Sequence, residues 1–241
     1  MGKGGTGKSM IAGTCARILA SRGHSVLALD IDTIAGLAFS LGLGPTDEGR
    51  FPEDLAERRE GEGWVMREPV RAAELIEQYS VRGPDGIRYL QLGKFPGRVR
   101  PGSTTAFRYV MEGLEQTDWT VVADLAGGTR QPFFGWAEFA SRIAIVAEPY
   151  AAAILSARRL TKAAEAAPHA ELGLIMNKTR NGGHTRPDTS LPLWAVVPYD
   201  DRVMNAERDG KAAFDVAPDS PAVKAITDFV LQALSMEESK K

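Results

Sequence analysis

The sequence is short of cysteine, histidine and long apolar runs, and each shortage excludes a class of protein. Cys15 is the only cysteine, so no intrachain disulfide can form, and this usage fits a reducing cytoplasm. The three histidines, His24, His169 and His184, lack the spacing of a metal site. No apolar run approaches the roughly 20 residues that a membrane span needs. We therefore expect a cytoplasmic protein without a membrane span.

Neither sign of charge dominates the composition. The formal net charge is −2, which gives no global reason to expect nucleic-acid binding. Hydrophobic residues make up 44% of the 241 positions, enough for one α/β domain with a full core. We expect a single domain over residues 1–241, with the polar segment 44–72 as a surface insertion and a C-terminal helix over 220–237.

Apolar strands alternate with helical stretches along the chain. The predicted strands cover residues 25–32, 86–93, 119–124, 142–148, 172–177 and 193–198. Helical spacing is clearest over 72–79, 104–116 and 151–167. This alternation predicts an α/β fold with a doubly wound, mostly parallel sheet and helices on both faces.

The N-terminal stretch GKGGTGKS, residues 2–9, matches a phosphate-binding loop at every fixed position. Its glycines let backbone N–H groups approach a phosphate, and the following helix adds its positive end. Lys8 is placed to reach the outer phosphates and Ser9 to ligate Mg²⁺. The predicted nucleotide contacts are Gly2, Gly4, Gly5, Thr6, Gly7, Lys8 and Ser9. The strand that normally precedes such a loop is missing from this sequence, and we expect a true start about six to eight residues upstream, since typical strands have five to six residues.

The additional lysine, Lys3, narrows the interpretation from phosphate-loop proteins in general to one family of them. KGGTGKS resembles the deviant Walker A motif of the MinD/ParA ATPases, a group within the SIMIBI class of P-loop proteins that includes the CooC-type maturation factors. In that family the signature lysine reaches the nucleotide of the partner subunit. The resemblance therefore implies an ATP-dependent homodimer, with Lys3 and Lys8 among the catalytic residues.

Acidic side chains follow two of the predicted strands. Asp30 and Asp32 form a D-x-D, and Asp124 opens DLAGG, a D-x-x-G pattern whose glycine is Gly127. Each aspartate alone would be read as a helix cap or turn residue. The resemblance assigns Asp32 to the attacking water and to the magnesium shell, Asp124 to magnesium, and Gly127 to the γ-phosphate. Carboxylates suit Mg²⁺ because it prefers oxygen ligands.

The sequence Asn177-Lys178-Thr179-Arg180 predicts the base preference. A guanine reader keeps an aspartate at the fourth position, and Arg180 cannot accept a hydrogen bond. An asparagine amide can pair with the N6/N7 edge of adenine, so Asn177 favours ATP. The sequence VPYD at residues 197–200, which includes Pro198, resembles the adenine-side loop of the family.

The motifs together predict a Mg²⁺-dependent ATP hydrolase, slow and partner-stimulated, that acts as a nucleotide-dependent dimer switch for an unidentified protein client. Two alternatives stay open: a low-turnover regulatory or scaffold protein, and a DNA-associated partition ATPase that would use the basic segment 94–100. The C-x-C pair of CooC-type proteins is absent, which counts against metal delivery. A membrane role for the C-terminal helix is disfavoured because its polar face is not rich in Lys and Arg.

Overall fold

The computed structural model describes residues 5–32, 36–93, 100–126, 136, 139–164, 170–180 and 189–239. The helices are α1 (Lys8–Ser21), α2 (Leu37–Leu41), α3 (Ala72–Tyr79), α4 (Pro101–Glu112), α5 (Ala151–Ala164), α6 (Asp201–Arg208), α7 (Ala213–Val216) and α8 (Pro221–Glu238). The strands are β1 (Val26–Asp30), β2 (Ala56–Arg59), β3 (Gly63–Met66), β4 (Val81–Arg82), β5 (Arg88–Gln91), β6 (Thr120–Asp124), β7 (Arg142–Ala147), β8 (Glu171–Thr179) and β9 (Leu193–Pro198).

The predicted α/β fold is confirmed, because parallel strands alternate with helices along the chain. A four-stranded sheet has the order β4-β5-β1-β6, and a three-stranded sheet has the order β7-β8-β9. Every pairing in these two sheets is parallel except that of the short β4 with β5. All five residues of β1 are buried, as an interior strand of a parallel sheet requires.

An apolar cleft separates the edges of the two sheets. It lies between β6, the edge strand of the four-stranded sheet, and β7, the edge strand of the three-stranded sheet. Within the described part of the chain these two strands pair with β1 and β8, respectively, and not with one another. The cleft has a volume of about 600 Å³, and its lining includes Ile11 and Cys15 of α1 and Val230 of α8. Val121 of β6 is 36% exposed along this edge, a high value for a valine in a central position of the fold. Lys8 and Asp124 also line the cleft, so it lies beside the phosphate loop.

The polar segment 44–72 carries its own antiparallel hairpin of β2 and β3. Part of the segment nevertheless enters the core. Phe51 is 2% exposed and makes edge-to-face contacts with Tyr79 and Phe107, with ring centroids 5.7 and 6.1 Å apart. Glu53 accepts hydrogen bonds from the first backbone N–H groups of α4, at Gly102 and Ser103, both at 3.1 Å. The segment therefore fixes the start of α4 as well as forming surface.

The C-terminal helix α8 buries the apolar face that the sequence indicates. Val223, Ile226 and Val230 are at most 4% exposed, and the helix packs against α1 and β9. That face is therefore occupied by the protein's own core. In the described part of the chain, no helix has the length and apolar character needed to cross a membrane.

Candidate functional site

The phosphate loop has the backbone conformation that its glycines allow. Gly5 and Gly7 have φ angles of 80° and 85°, a left-handed region that residues with a Cβ rarely adopt. Gly7 precedes α1, and its carbonyl accepts the N–H of Ile11 at 3.0 Å, so the helix begins directly after the loop. Three predicted contacts, Gly2, Lys3 and Gly4, lie outside the described residues.

Asn177, at the carboxyl end of β8, lies directly against the loop. Its side-chain amide donates to the carbonyl of Thr6 at 2.8 Å, and both residues are 1% exposed. A Cβ on Gly7 would lie 2.3 Å from the Asn177 amide nitrogen, so only glycine fits there without movement. The structure therefore brings Asn177 to the loop, and its Oδ1 is the acceptor that the predicted adenine contact would use.

The two strand-end acids meet beside the first turn of α1. Asp30 and Asp124 are direct neighbours in the β1–β6 register, and they are 0% and 3% exposed. The Ser9 hydroxyl donates to Asp124. Asp30 accepts the backbone N–H groups of Asp32 at 3.1 Å and Leu37 at 3.0 Å, which fixes the backbone at Asp32 and at the start of α2.

Burial changes the proton affinity of both acids. Desolvation, together with the nearby Asp124 charge, raises the pKa of Asp30 to about 7. Desolvation also raises the pKa of Asp124, against the hydrogen bond from Ser9 and the charge of Lys8, which lower it. Two adjacent buried carboxylates favour a bound cation, because a cation stabilises their ionised forms. The donor set of one hydroxyl and several carboxylate oxygens fits Mg²⁺.

The residues predicted to contact the base lie at the ends of β8 and β9. Pro198 pairs in register with Thr179, which places it one strand away from the Asn177 strand end. The Arg180 guanidinium lies 3.6 Å from the centre of the Tyr199 ring, a stacked cation–π contact. Gly127, the predicted γ-phosphate contact, lies outside the described residues, as do residues 94–99 of the basic segment.

The sequence analysis did not find Lys178, which also contacts the phosphate loop. Its ammonium donates to the carbonyl of Gly5 at 2.9 Å and lies 3.2 Å from a carboxylate oxygen of Glu148. The available signal was its position next to Asn177 at the end of a strand. Glu148 had the same kind of signal, because it is the last residue of the strand predicted over 142–148, but the sequence analysis did not use it.

The described residues contain no cluster of three or more His, Cys, Asp or Glu side chains arranged to hold a metal ion. A magnesium site here would thus rely on Ser9 and on phosphate oxygens besides the carboxylates. This differs from a transition-metal site, which uses imidazole or thiolate ligands.

A glycine-rich loop that opens a helix, with strand-end acids and an asparagine around it, defines the class of phosphate-loop nucleotide-binding α/β proteins. Residues 1–214 match the family described as the CobQ/CobB/MinD/ParA nucleotide binding domain. The chain belongs to this family, and its resemblance to MinD/ParA-type phosphate-loop ATPases is confirmed.

Similar proteins cover nearly the whole chain. An uncharacterized ATP-binding protein of Methanocaldococcus jannaschii is 28% identical over 244 residues, which span 93% of this chain and 92% of the relative. The carbon monoxide dehydrogenase accessory protein CooC of Rhodospirillum rubrum is 26% identical over 235 residues, 90% of this chain and 89% of the relative.

Two solved structures share the fold. The septum site-determining protein MinD of Pyrococcus horikoshii, solved with Mg-ADP, matches with a TM-score of 0.72 and 20% identity, over 100% of this chain and 96% of that one. A ParA family ATPase of Chlorobium tepidum matches with a TM-score of 0.73 and 18% identity, over 95% and 94% of the two chains.

Proposed function

We propose that the protein binds ATP with Mg²⁺ at the phosphate loop and hydrolyses it slowly as a nucleotide-dependent dimer switch in the cytoplasm. The observation that carries the proposal is the arrangement of Gly7, Asn177, Ser9 and Asp124 around the start of α1. The loop is held in a left-handed glycine conformation by Asn177, and Ser9 and Asp124 adjoin it. Such a loop presents N–H groups and a helix N-terminus to phosphate oxygens.

Each site residue has a separate role in this proposal. Lys8 binds the outer phosphates, and Ser9 and Asp124 hold the magnesium ion. Asp32 orients the attacking water and contributes to the magnesium shell. The backbone N–H of Asp32 donates to the Asp30 carboxylate, and this hydrogen bond fixes the backbone at Asp32. Bound Mg²⁺ supplies positive charge to the phosphate oxygens during the reaction.

The nucleotide base is proposed to be adenine, recognised by Asn177 with Pro198 beside it. Arg180 stands where a guanine reader has a carboxylate, and its guanidinium is stacked on Tyr199. Titration of the protein with labelled ATP and labelled GTP tests this assignment. We expect ATP to bind more tightly, and equal or tighter binding of GTP would contradict it.

The proposed dimer switch is inferred from Lys3 and from the role of the signature lysine in the MinD/ParA family. Lys3 is not needed to hold phosphates within one subunit, since Lys8 and the loop amides suffice. A lysine that reaches the partner's nucleotide adds a charge-assisted contact that exists only in the dimer. ATP would therefore favour association by the free energy of that contact.

ATP turnover measured alone, with DNA and with Mg²⁺ removed tests the proposed activity as a whole. Slow Mg²⁺-dependent turnover that DNA does not change supports it. Binding without turnover would support the low-turnover regulatory alternative, and stimulation by DNA would support a partition-type ATPase. Capture of associated proteins in the presence of ATP would identify the client.

A further inference from the structure

The carboxyl end of β8 contacts two successive carbonyl groups of the phosphate loop. Asn177 donates to the carbonyl of Thr6 at 2.8 Å, and Lys178 donates to the carbonyl of Gly5 at 2.9 Å. In a trans peptide the C=O and the following N–H point in opposite directions. The N–H groups of Thr6 and Gly7 therefore point away from β8, on the side of the loop opposite to these two donors.

Lys178 is held in position for this contact from two sides. Its ammonium lies 3.2 Å from Glu148 Oε1, and the two side chains are only 21% and 19% exposed. Glu148 directly follows β7, where the chain turns toward α5. The backbone of Lys178 has a φ of 56°, an unfavourable left-handed conformation for a residue with a Cβ. The strained backbone lies at the register shift of β8 between Met176 and Thr179, and it directs a partly exposed, paired ammonium at the loop.

We propose that Lys178, held by Glu148, is a positioning residue that orients the Gly5–Thr6 peptide and so directs a backbone N–H of the phosphate loop at the nucleotide phosphates. This proposal rests on the proposed function, and it adds two residues to the site. Lys178 acts through the loop and not on the base, so its contribution depends on phosphate groups in the ligand.

The test compares Lys178→Met with the parent protein, using pyrophosphate, ADP and adenosine as ligands. Methionine keeps an unbranched side chain but removes the ammonium donor. We expect pyrophosphate and ADP to bind about 10- to 100-fold more weakly, the range for a hydrogen bond from a charged group. Adenosine affinity should stay unchanged. Lys211→Met is the matched control, since Lys211 is exposed and lies outside the site, and it should bind all three ligands like the parent.

Two further variants separate positioning from stability. Glu148→Gln keeps the ammonium but removes its ion-pair partner, and we expect an intermediate loss of pyrophosphate affinity. Lys178→Arg keeps a cationic donor and should recover part of the affinity that Lys178→Met loses. A lower melting temperature with parent-like pyrophosphate binding would mean that Lys178 is only structural, and an equal loss for adenosine would mean that it contacts the base. Either result overturns the proposal.

Amide hydrogen exchange tests the positioning without any ligand. In the nucleotide-free protein, the N–H groups of Thr6 and Gly7 should exchange faster in Lys178→Met than in the parent or in Lys211→Met. Unchanged exchange would overturn the proposal even if binding were affected. If the parent binds neither ADP nor pyrophosphate, the proposed function fails, and the exchange experiment still decides whether Lys178 orders the loop.

Discussion

Gly7→Ala is the most direct test of the loop geometry. Gly7 has a φ of 85°, and a Cβ placed there would lie 2.3 Å from the amide nitrogen of Asn177. The substitution therefore acts in two ways. The new side chain disfavours the left-handed backbone, and it displaces the amide that donates to the carbonyl of Thr6 at 2.8 Å.

The magnitude follows from these two effects. A residue with a Cβ in the left-handed region costs about 1–2 kcal/mol. Asn177 and Thr6 are each 1% exposed, so the displaced amide and the carbonyl lose a buried hydrogen bond, which costs about 1–3 kcal/mol. We expect Gly7→Ala to lower the free energy of unfolding by about 2–5 kcal/mol. Its ADP affinity should fall as well, because the Thr6–Gly7 peptide changes orientation.

Gly23→Ala is the matched control. Gly23 has nearly the same φ, 88°, but in the described part of the chain no atom beyond its two neighbours lies within 4 Å of where its Cβ would be. It follows the far end of α1, away from the phosphate loop. It should lose only the backbone contribution of about 1–2 kcal/mol and bind ADP like the parent. Urea unfolding and ADP titration of the two variants give the comparison. Equal losses of stability, or parent-like ADP binding by Gly7→Ala, would refute the importance of the Asn177 contact.

Four other outcomes are expected. Asp32→Ala should keep nucleotide binding but slow hydrolysis about 10²–10⁴-fold, since water positioning acts mainly in the transition state; turnover at the parent rate would make Asp32 structural. Lys3→Ala should keep ATP affinity within a few-fold of the parent but lose ATP-dependent dimerisation, measured by sedimentation with a non-hydrolysable analogue. Dimers like those of the parent would contradict the dimer switch that the family resemblance implies. Burial raises the pKa of the Cys15 thiol to about 12, so ionisation of this thiol favours the unfolded state as the pH rises above 9. Thiol labelling at pH 9 should therefore be slow in the native protein and fast in urea. Similar labelling rates would contradict the burial of Cys15. A segment of about five or six apolar residues fused ahead of the phosphate loop should enter the cleft between β6 and β7 and raise the melting temperature. A matched segment interrupted by proline should leave the melting temperature unchanged. Identical melting temperatures of the two fusions would show that the cleft does not accept a strand.

Local patterns predicted the elements whose side chains alternate or repeat regularly. The helical spacing over 72–79 matches α3 at both ends, and the apolar strand predicted over 193–198 matches β9. The same patterns located the strand-end acids, because parallel strands bring their carboxyl ends to one edge of the sheet. The order of motifs along the chain was therefore enough to predict the family, which the match over residues 1–214 confirms.

The contacts that position the loop are long-range, and local patterns do not encode them. Asn177 and Lys178 are separated from their loop partners by 171 and 173 residues. Glu148 ends a predicted strand, but only the fold places it beside Lys178. Phe51 lies in a segment whose composition indicates surface, yet its ring is in the core. In each case the composition of the neighbouring residues is a poor guide, because the partner comes from another part of the fold.

The site combines side chains from both parallel sheets. Asp30 and Asp124 come from the four-stranded sheet, and Asn177 and Lys178 come from the three-stranded sheet. The phosphate loop contacts both sets, through Ser9 on one side and through the carbonyls of Gly5 and Thr6 on the other. Since β6 and β7 face each other across a cleft, a nucleotide held by this loop would be tied to both sheets at once. Binding should therefore restrain the two sheets relative to each other, which gives ligand occupancy a physical route to the rest of the fold.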